Sequence, residues 1–508
     1  MKRRLFLQYG AGAGLSALMW GCGGGGGGED AHMLFPIGSG AANIPAGQPL
    51  ANLPKLRNLA LAPGQFEATL VAAPMPVTLV PGRVTEAWTY NGQFPGPVIE
   101  VAEGDRVRIR LENRLVNQAT SLHWHGLAVP PGQDGNPMNA IPPGAATLYE
   151  FTVAEDSAGT YWYHPHPHLV THEQVYRGLA GLFIVRPRVN PLPVEMREQI
   201  LFITEIRLDA CCTIMASDAI DMSMGRVGDV LLINGQRQPR IALRAGETQR
   251  WRIINATNAR YLRLALPGHS FTVIGTDGGL LSAPLPASNE IFLAPAERIE
   301  VIVQGTAAPG ATFPLQVLAY DNGSMAMSRQ MMGGVRASTT DPIATIAYGA
   351  EPAIAPLTLP PGLRHIAALG NAVAQKRFVL SERLAMGPGM MMGSSTGMIE
   401  FMINGRTFDP TRIDARSNAG DVETWDIVND SLMDHPFHVH GTQFQVVSRS
   451  RYGRTDAQPY LAWKDTVNVA TGETVRIKLR QMERGLRMFH CHILEHEDQG
   501  MMGVLEVI

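Results

Sequence analysis

From Asp105 to Asn113 the chain reads DRVRIRLEN, with Val107, Ile109 and Leu111 apolar and mostly charged residues between them. A period of two puts the apolar set on one face and predicts a half-buried β-strand. That strand ends a longer unit, NGQFPGPVIEVAEGDRVRIRLEN over residues 91–113: an Asn-Gly turn, a Gly-acid pair, an alternating strand and a closing Asn. The unit recurs as NGQRQPRIALRAGETQRWRIIN over 234–255 and as NGRTFDPTRIDARSNAGDVETWDIVN over 404–429. In each copy the Gly of the Gly-acid pair precedes the closing Asn by nine residues: Gly104 and Asn113, Gly246 and Asn255, Gly420 and Asn429. Three ordered copies predict an all-β protein of three tandem β-sandwich domains. They are placed at 66–187, 195–348 and 376–508, with a connector at 349–375 that contains the Pro- and Ala-rich AEPAIAPLTLPPG.

Composition sharpens this picture. Gly (53) and Pro (36) suit many short strands and turns, and 508 residues allow three buried cores. A charged fraction of 17%, a net charge of -3 and no long basic run argue against a nucleic-acid partner. Residues 1–28 differ from the rest: Arg3 and Arg4 precede Phe6 and Leu7, and a weakly apolar stretch runs from Tyr9 to Trp20. The segment resembles a twin-arginine export signal, which places the protein in the periplasm or cell envelope, and it is too short to span a bilayer. Cys22, before a glycine run, fits a lipid-acceptor cysteine on a flexible tether, and simple cleavage of the signal fits equally. Cys211 and Cys212 are adjacent, so they are expected as buried packing, not as a structural disulfide.

The chemistry lies in the histidines. After the closing Asn the first domain has HWHG (His123, His125) and the third HPFHVHG (His435, His438, His440). Further on they have YHPH (His164, His166) and FHCHILEH (His490, His492, His496), so ten of the fifteen histidines fall into four repeat-related motifs. The middle domain has YLRLALPGH at the first place and nothing like the second. On a strand, residues i and i+2 share a face, so each His-X-His presents two imidazoles together. Four pairs exceed what one metal ion can use and predict a cluster between the first and third domains. Cys491, between His490 and His492, must face the other way, toward His435, His496 and Met501. One thiolate, two imidazoles and a thioether make the ligand set of a blue-copper electron-transfer centre.

These four motifs, with HCHILEHEDQGM at 490–501, resemble those of three-domain bacterial multicopper oxidases, the laccase and cuprous oxidase family, over nearly the whole mature chain. The resemblance implies three cupredoxin-like Greek-key domains and four copper ions. A blue type 1 copper would lie at His435, Cys491, His496 and Met501; a type 2 copper at His123 and His438; a type 3 pair at His125, His164, His166, His440, His490 and His492. It further implies that single electrons enter at the blue copper, pass through Cys491 and reduce dioxygen to two waters at the cluster. That reaction needs protons, and Asp134 and Glu497 match acids near the cluster in similar enzymes. A monomer is the default, because both halves of the cluster lie in one chain.

The electron donor is left between two classes. Thioethers suit Cu(I), and they crowd GSMAMSRQMMGG (Met325, Met327, Met331, Met332) and LAMGPGMMMGSSTGM (Met386, Met390, Met391, Met392, Met398), with Met433 just before the blue-copper motif. These segments resemble those of cuprous oxidases, which points to Cu(I) oxidation and copper tolerance. Against this, an acid of those enzymes is replaced by Ser431, and a laccase acting on phenols is the competing reading. A copper-storage protein would explain the methionines but not the cluster. Of the other histidines, His168 and His172 are expected to face solvent in a loop, with partners to the copper ligands as the alternative, and His269 to be structural or exposed.

Overall fold

The alternating segments need partners for one apolar face each, and they find them in six sheets. The computed structural model describes residues 40–324, 340–384 and 399–508. Four-stranded sheets of order Thr85–Tyr90, Gln65–Val77, Arg106–Asn113, Ala146–Thr152 and Gly96–Ala102, Gly181–Arg186, Gly159–His164, His123–His125 form the first sandwich. Val107, Ile109 and Leu111 of one sheet pack with Ile99, Trp124, Tyr163 and Phe183 of the other. A seven-stranded and a five-stranded sheet bury Trp251, Leu262 and Leu264 between 197 and 348, and a six-stranded and a five-stranded sheet bury Trp425, Phe437 and Phe489 between 374 and 507. The main core cluster of each sandwich thus contains one fully buried Trp, which removes on the order of 150–250 Å² from water. The fold is all-β and cupredoxin-like, and the α-helices among the described residues are short: Thr171–Tyr176, Ala219–Met224 and Leu494–Asp498.

The repeat has a structural cause that is the same in all three sandwiches. Asn91, Asn234 and Asn404 each sit at φ 54°, followed by a glycine also at positive φ, a conformation that Asn-Gly adopts without the penalty other residues incur. Their side-chain Oδ1 accepts from the backbone N–H of Val71 (2.7 Å), Phe202 (3.0 Å) and Val379 (2.8 Å). Those residues lie on strands that run parallel to the alternating strand of each unit. The closing asparagines are buried and do equivalent work at the far end. Asn113 Nδ2 donates to Gln118 O and Ile141 O, Asn255 Nδ2 to Arg260 O and Leu293 O, and Asn429 Nδ2 to Met433 O and Val469 O, at 2.7–3.2 Å. Each Oδ1 takes the N–H two residues on, at Leu115, Thr257 and Ser431. Each closing Asn therefore sets the path of the chain into the next strand.

Between 354 and 363 the chain runs along the middle sandwich, with Ile354 N donating to Ala245 O (2.9 Å) and Leu363 N to Ser282 O (2.9 Å), and from 367 to 373 along the last, with Leu369 N donating to Gln445 Oε1 (2.9 Å) and Val373 N to Val422 O (2.9 Å). The paired cysteines differ from expectation. Cys212 packs with Ile206, Leu208 and Ile214, whereas Cys211 is exposed. Asp209 Oδ1 accepts from both Cys211 N and Thr213 N, and the resulting turn, with Cys212 at φ 67°, separates the two thiols.

Candidate metal centre

Two strand pairs carry the histidines. In the first sandwich His123–His125 lies antiparallel to Gly159–His164, with His123 opposite His164. In the last, His435–Val439 lies antiparallel to Gly485–Cys491, with His438 opposite His490. The apolar alternates Trp124, Phe437, Val439 and Phe489 enter the sandwich cores, so His123, His125, His438 and His490, at the alternate positions, are turned outward. The two outward faces meet. His123 stacks on His440 with centroids 3.9 Å apart, His125 stacks on His438 at 3.8 Å, and His166 Nε2 lies 3.2 Å from His490 Nε2.

All eight of these imidazoles are buried. Burial first, and then charge from neighbouring groups, pushes His125, His164, His166, His438, His440 and His492 well below the ordinary imidazole range. They stand neutral, the form that ligates a metal. Their nitrogens converge in threes within 4.8 Å: His123, His125 and His438; His125, His164 and His492; His166, His440 and His490. The Nε2 atoms of His123, His438 and His492 are buried with no hydrogen-bond partner among the described residues, a loss of about 1–3 kcal/mol each unless something electrophilic takes the lone pair. A group of soft or borderline cations fits this donor set.

On the other side of the same strand, Cys491 Sγ lies 3.3 Å from His435 Nδ1, which is 3.4 Å from His496 Nδ1. The turn after Cys491 closes through Cys491 N to Met501 O and Met501 N to His496 O, both 3.0 Å, and Met501 shares the core with Cys491. Phe401 stacks on His496 at 3.7 Å. Burial pushes the Cys491 thiol up and His435 down to about 3. A buried thiol held neutral beside neutral imidazoles favours a soft cation that displaces the proton.

Both acids predicted from the sequence touch the cluster. Glu497, on the helix Leu494–Asp498, sets Oε2 3.1 Å from His490 Nδ1 and Oε1 3.5 Å from His166 Nδ1. Asp134 sets Oδ2 3.0 Å from His440 Nδ1 and Oδ1 3.3 Å from His123 Nδ1. Their states diverge. Burial raises Glu497 above the usual carboxylate range against the pull of His490, whereas for Asp134 burial is outweighed by the hydrogen bond from His123 and the charges of His123 and Arg487.

Other predicted residues fall elsewhere. Met433 is fully buried in the core of the last sandwich. Met325, Met327, Met331, Met332, Met386, Met390, Met391, Met392 and Met398 lie outside the described residues. Ser431 is held by the Asx turn at Asn429 and places Oγ 2.9 Å from His435 Nε2. His172 does not face solvent: it is mostly buried, with Nδ1 2.6 Å from Asp498 Oδ2, and His168 packs edge-on to Phe408. His269 is structural, bonded to the Tyr348 hydroxyl at 2.6 Å. Sequence reading missed Asp465 and Thr466, whose Oδ1 and Oγ1 lie 3.0 and 3.1 Å from His125 Nε2. Their one signal is position, at the start of the strand that pairs with His435–Val439.

Multicopper oxidase family models match residues 73–190, 209–332 and 383–508. A multicopper oxidase of Staphylococcus epidermidis is 33% identical over 426 residues, 82% of this chain and 83% of that protein. A laccase of Bacillus subtilis is 27% identical over 83% of this chain and 90% of its own length. The solved structure described as "Multicopper oxidase from Campylobacter jejuni: a metallo-oxidase" superposes with a TM-score of 0.84 at 40% identity, covering 92% of this chain and 96% of that one. With three matched domains in order, the chain belongs to the multicopper oxidase family and is a copper-dependent oxidoreductase that uses dioxygen as acceptor.

Proposed function

We propose that the chain holds four copper ions and couples one-electron oxidation of Cu(I) to four-electron reduction of dioxygen to water. His435, Cys491, His496 and Met501 hold one ion; His123 and His438 a second; His125, His164, His166, His440, His490 and His492 a pair. When bound, copper supplies the redox chemistry at both ends. The observation that carries the reading is one strand with two faces: Cys491 points to His435, while His490 and His492, its direct neighbours, point to the histidine seam. Two bonded neighbours make a short covalent link between the site that takes electrons and the site that uses them.

The chain's own acids divide the proton work. Glu497 is fully buried with its pKa raised, so it holds a proton at neutral pH more readily than an exposed carboxyl and delivers it beside His490 and His166. Asp134 stays ionised and orients His440 and His123 by accepting from their Nδ1. The twin-arginine-type segment and Cys22 support an exported, envelope location, with copper tolerance as the purpose. A monomer suffices for catalysis.

The donor is read as Cu(I) because of the thioethers at 325–332 and 386–398 and because the similar Campylobacter jejuni enzyme is described as a metallo-oxidase. A second reading, phenol oxidation, is favoured by two observations: Met433 is enclosed in the core, and Ser431 stands where an acid was expected. Oxygen uptake by one copper-loaded sample, with Cu(I) and then with a phenol, tests both. Replacing Met390, Met391 and Met392 by Ser is expected to weaken Cu(I) oxidation while phenol oxidation holds or rises. Parallel change in the two rates overturns the Cu(I) reading, and absence of uptake with any donor overturns the oxidase.

A further inference from the structure

The middle sandwich supplies none of the eight clustered histidines, yet one of its side chains reaches them through a single intermediary. Arg298, at the start of the strand Arg298–Gln304, is fully buried and forks onto Asp465 of the last sandwich, Nη2 to Oδ2 at 2.6 Å and Nη1 to Oδ1 at 2.7 Å. Its other donors are taken by backbone carbonyls: Nε by Thr160 O (2.9 Å), Nη1 also by Ala296 O and Nη2 also by Asp277 O (both 3.1 Å). A guanidinium held at every nitrogen cannot swing, so it fixes the plane of the carboxylate. Asp465 Oδ1 then meets His125 Nε2 at 3.0 Å. Gly126 follows, at φ +88°, and a Cβ there would run into Asp465 Oδ2 and Arg298 Nη2, so the backbone leaves room for this fork directly beside the histidine.

His125 is held the opposite way round from its neighbours. His123, His164, His438, His440 and His490 each bond through Nδ1, to Asp134 O, Pro165 O, Asp465 O, Asp134 Oδ2 and Cys491 O, at 2.8–3.0 Å. Each of those imidazoles keeps its proton at Nδ1 and presents Nε2. His125 instead bonds through Nε2 and turns Nδ1 to His164 Nε2, 3.5 Å away. A neutral imidazole has one N–H and one lone pair, and the partner of the first decides where the second points.

We propose that Arg298 and Asp465 are positioning residues that fix His125 as the Nε2–H tautomer, so that its Nδ1 lone pair is delivered to the copper pair and the middle sandwich takes part in building a site it does not ligate. The inference rests on the four-copper reading above and adds a role for two residues outside the ligand set. The test is Arg298→Met in the copper-loaded full chain, with Arg298→Lys as the conservative variant. Total copper, the blue absorption and the share of copper visible by electron paramagnetic resonance are measured together. The blue absorption is expected to persist, while copper is lost from the pair or becomes visible as its coupling fails, and oxygen reduction slows by roughly 10–100-fold. Arg298→Lys recovers part of the coupled signal. An unchanged visible fraction and unchanged copper content overturn the proposal. If Arg298→Met does not fold, Asp465→Asn is read by the same three signals with the same expectations. Should the unaltered protein itself show no spin-coupled pair, the four-copper reading fails, a result distinct from a variant that leaves a normal pair untouched.

Discussion

The strand His123–His125 and the strand Leu262–Ala265 follow the same closing asparagine in the first and middle sandwiches, yet they end in different surroundings. Their inner faces agree: Trp124 in one, Leu262 and Leu264 in the other, each packed in its own core. Their outer faces differ. His123 and His125 are buried against the last sandwich, whereas Arg263 pairs with Glu290 at the surface, where both side chains are 40–45% exposed. In these two strands the core face serves folding alike, and the outer face gathers imidazoles only where the last sandwich covers it. Apart from Arg298, the middle sandwich buries Arg250, Arg252 and Glu300 away from the seam, where they bond across to Thr160 and to one another.

The sharpest break in that comparison comes from the last sandwich alone. Cys491→Ser is expected to abolish the blue absorption and reduce turnover to background while copper remains in the seam; retained blue colour would remove Cys491 from the ligand set. Next in size is Glu497→Gln, which keeps shape and hydrogen bonding but removes the titratable group. Oxygen-limited turnover should fall by about 10²–10⁴-fold with electron entry at the blue centre intact, as read by stopped-flow bleaching of the blue band. Equal rates for the variant and the parent would exclude it as a proton carrier.

A smaller effect separates the two asparagines that do the same structural work. Asn255→Ala and Asn429→Ala should each lower stability by about 1–3 kcal/mol, because buried backbone carbonyls lose their donors. Only Asn429→Ala should also shift the blue spectrum, since Asn429 holds Ser431 against His435. Equal spectra would show that Ser431 is held by other bonds. The smallest effect is an expected absence of change: Arg263→His combined with Ala265→His rebuilds a His-X-His on the middle sandwich. Copper per chain should stay at the parental value, because no second sandwich covers those positions. Extra tightly bound copper would mean that the motif alone, without its covering partner, makes the site.

The fold was legible where local chemistry leaves little choice. Asn-Gly at positive φ, period-two strands and a buried Asn at a fixed distance each have one reading. The histidine motifs were legible because i, i+2 spacing specifies a shared face. Asp465 and Arg298 carry no such mark: the partner of Asp465 at the seam is 340 residues away in sequence and that of Arg298 is 167 away, so nothing local announces them. The same blindness misplaced His172, whose partner Asp498 is 326 residues distant. Cys211 was misread for a different reason. Two adjacent cysteines share a composition but not an environment once a tight turn points them apart.

The stacking of His125 on His438 joins the second strand pair of the chain's first third to a strand in its last quarter. A ribosome makes the earlier half of this seam long before the later half exists. In any chain truncated before residue 490, the His123–His125 and His164–His166 pairs lack at least His490 and His492 of the four histidines that face them. The eight imidazoles of the seam therefore cannot come together before residue 492 has been made, when nearly all of the chain exists.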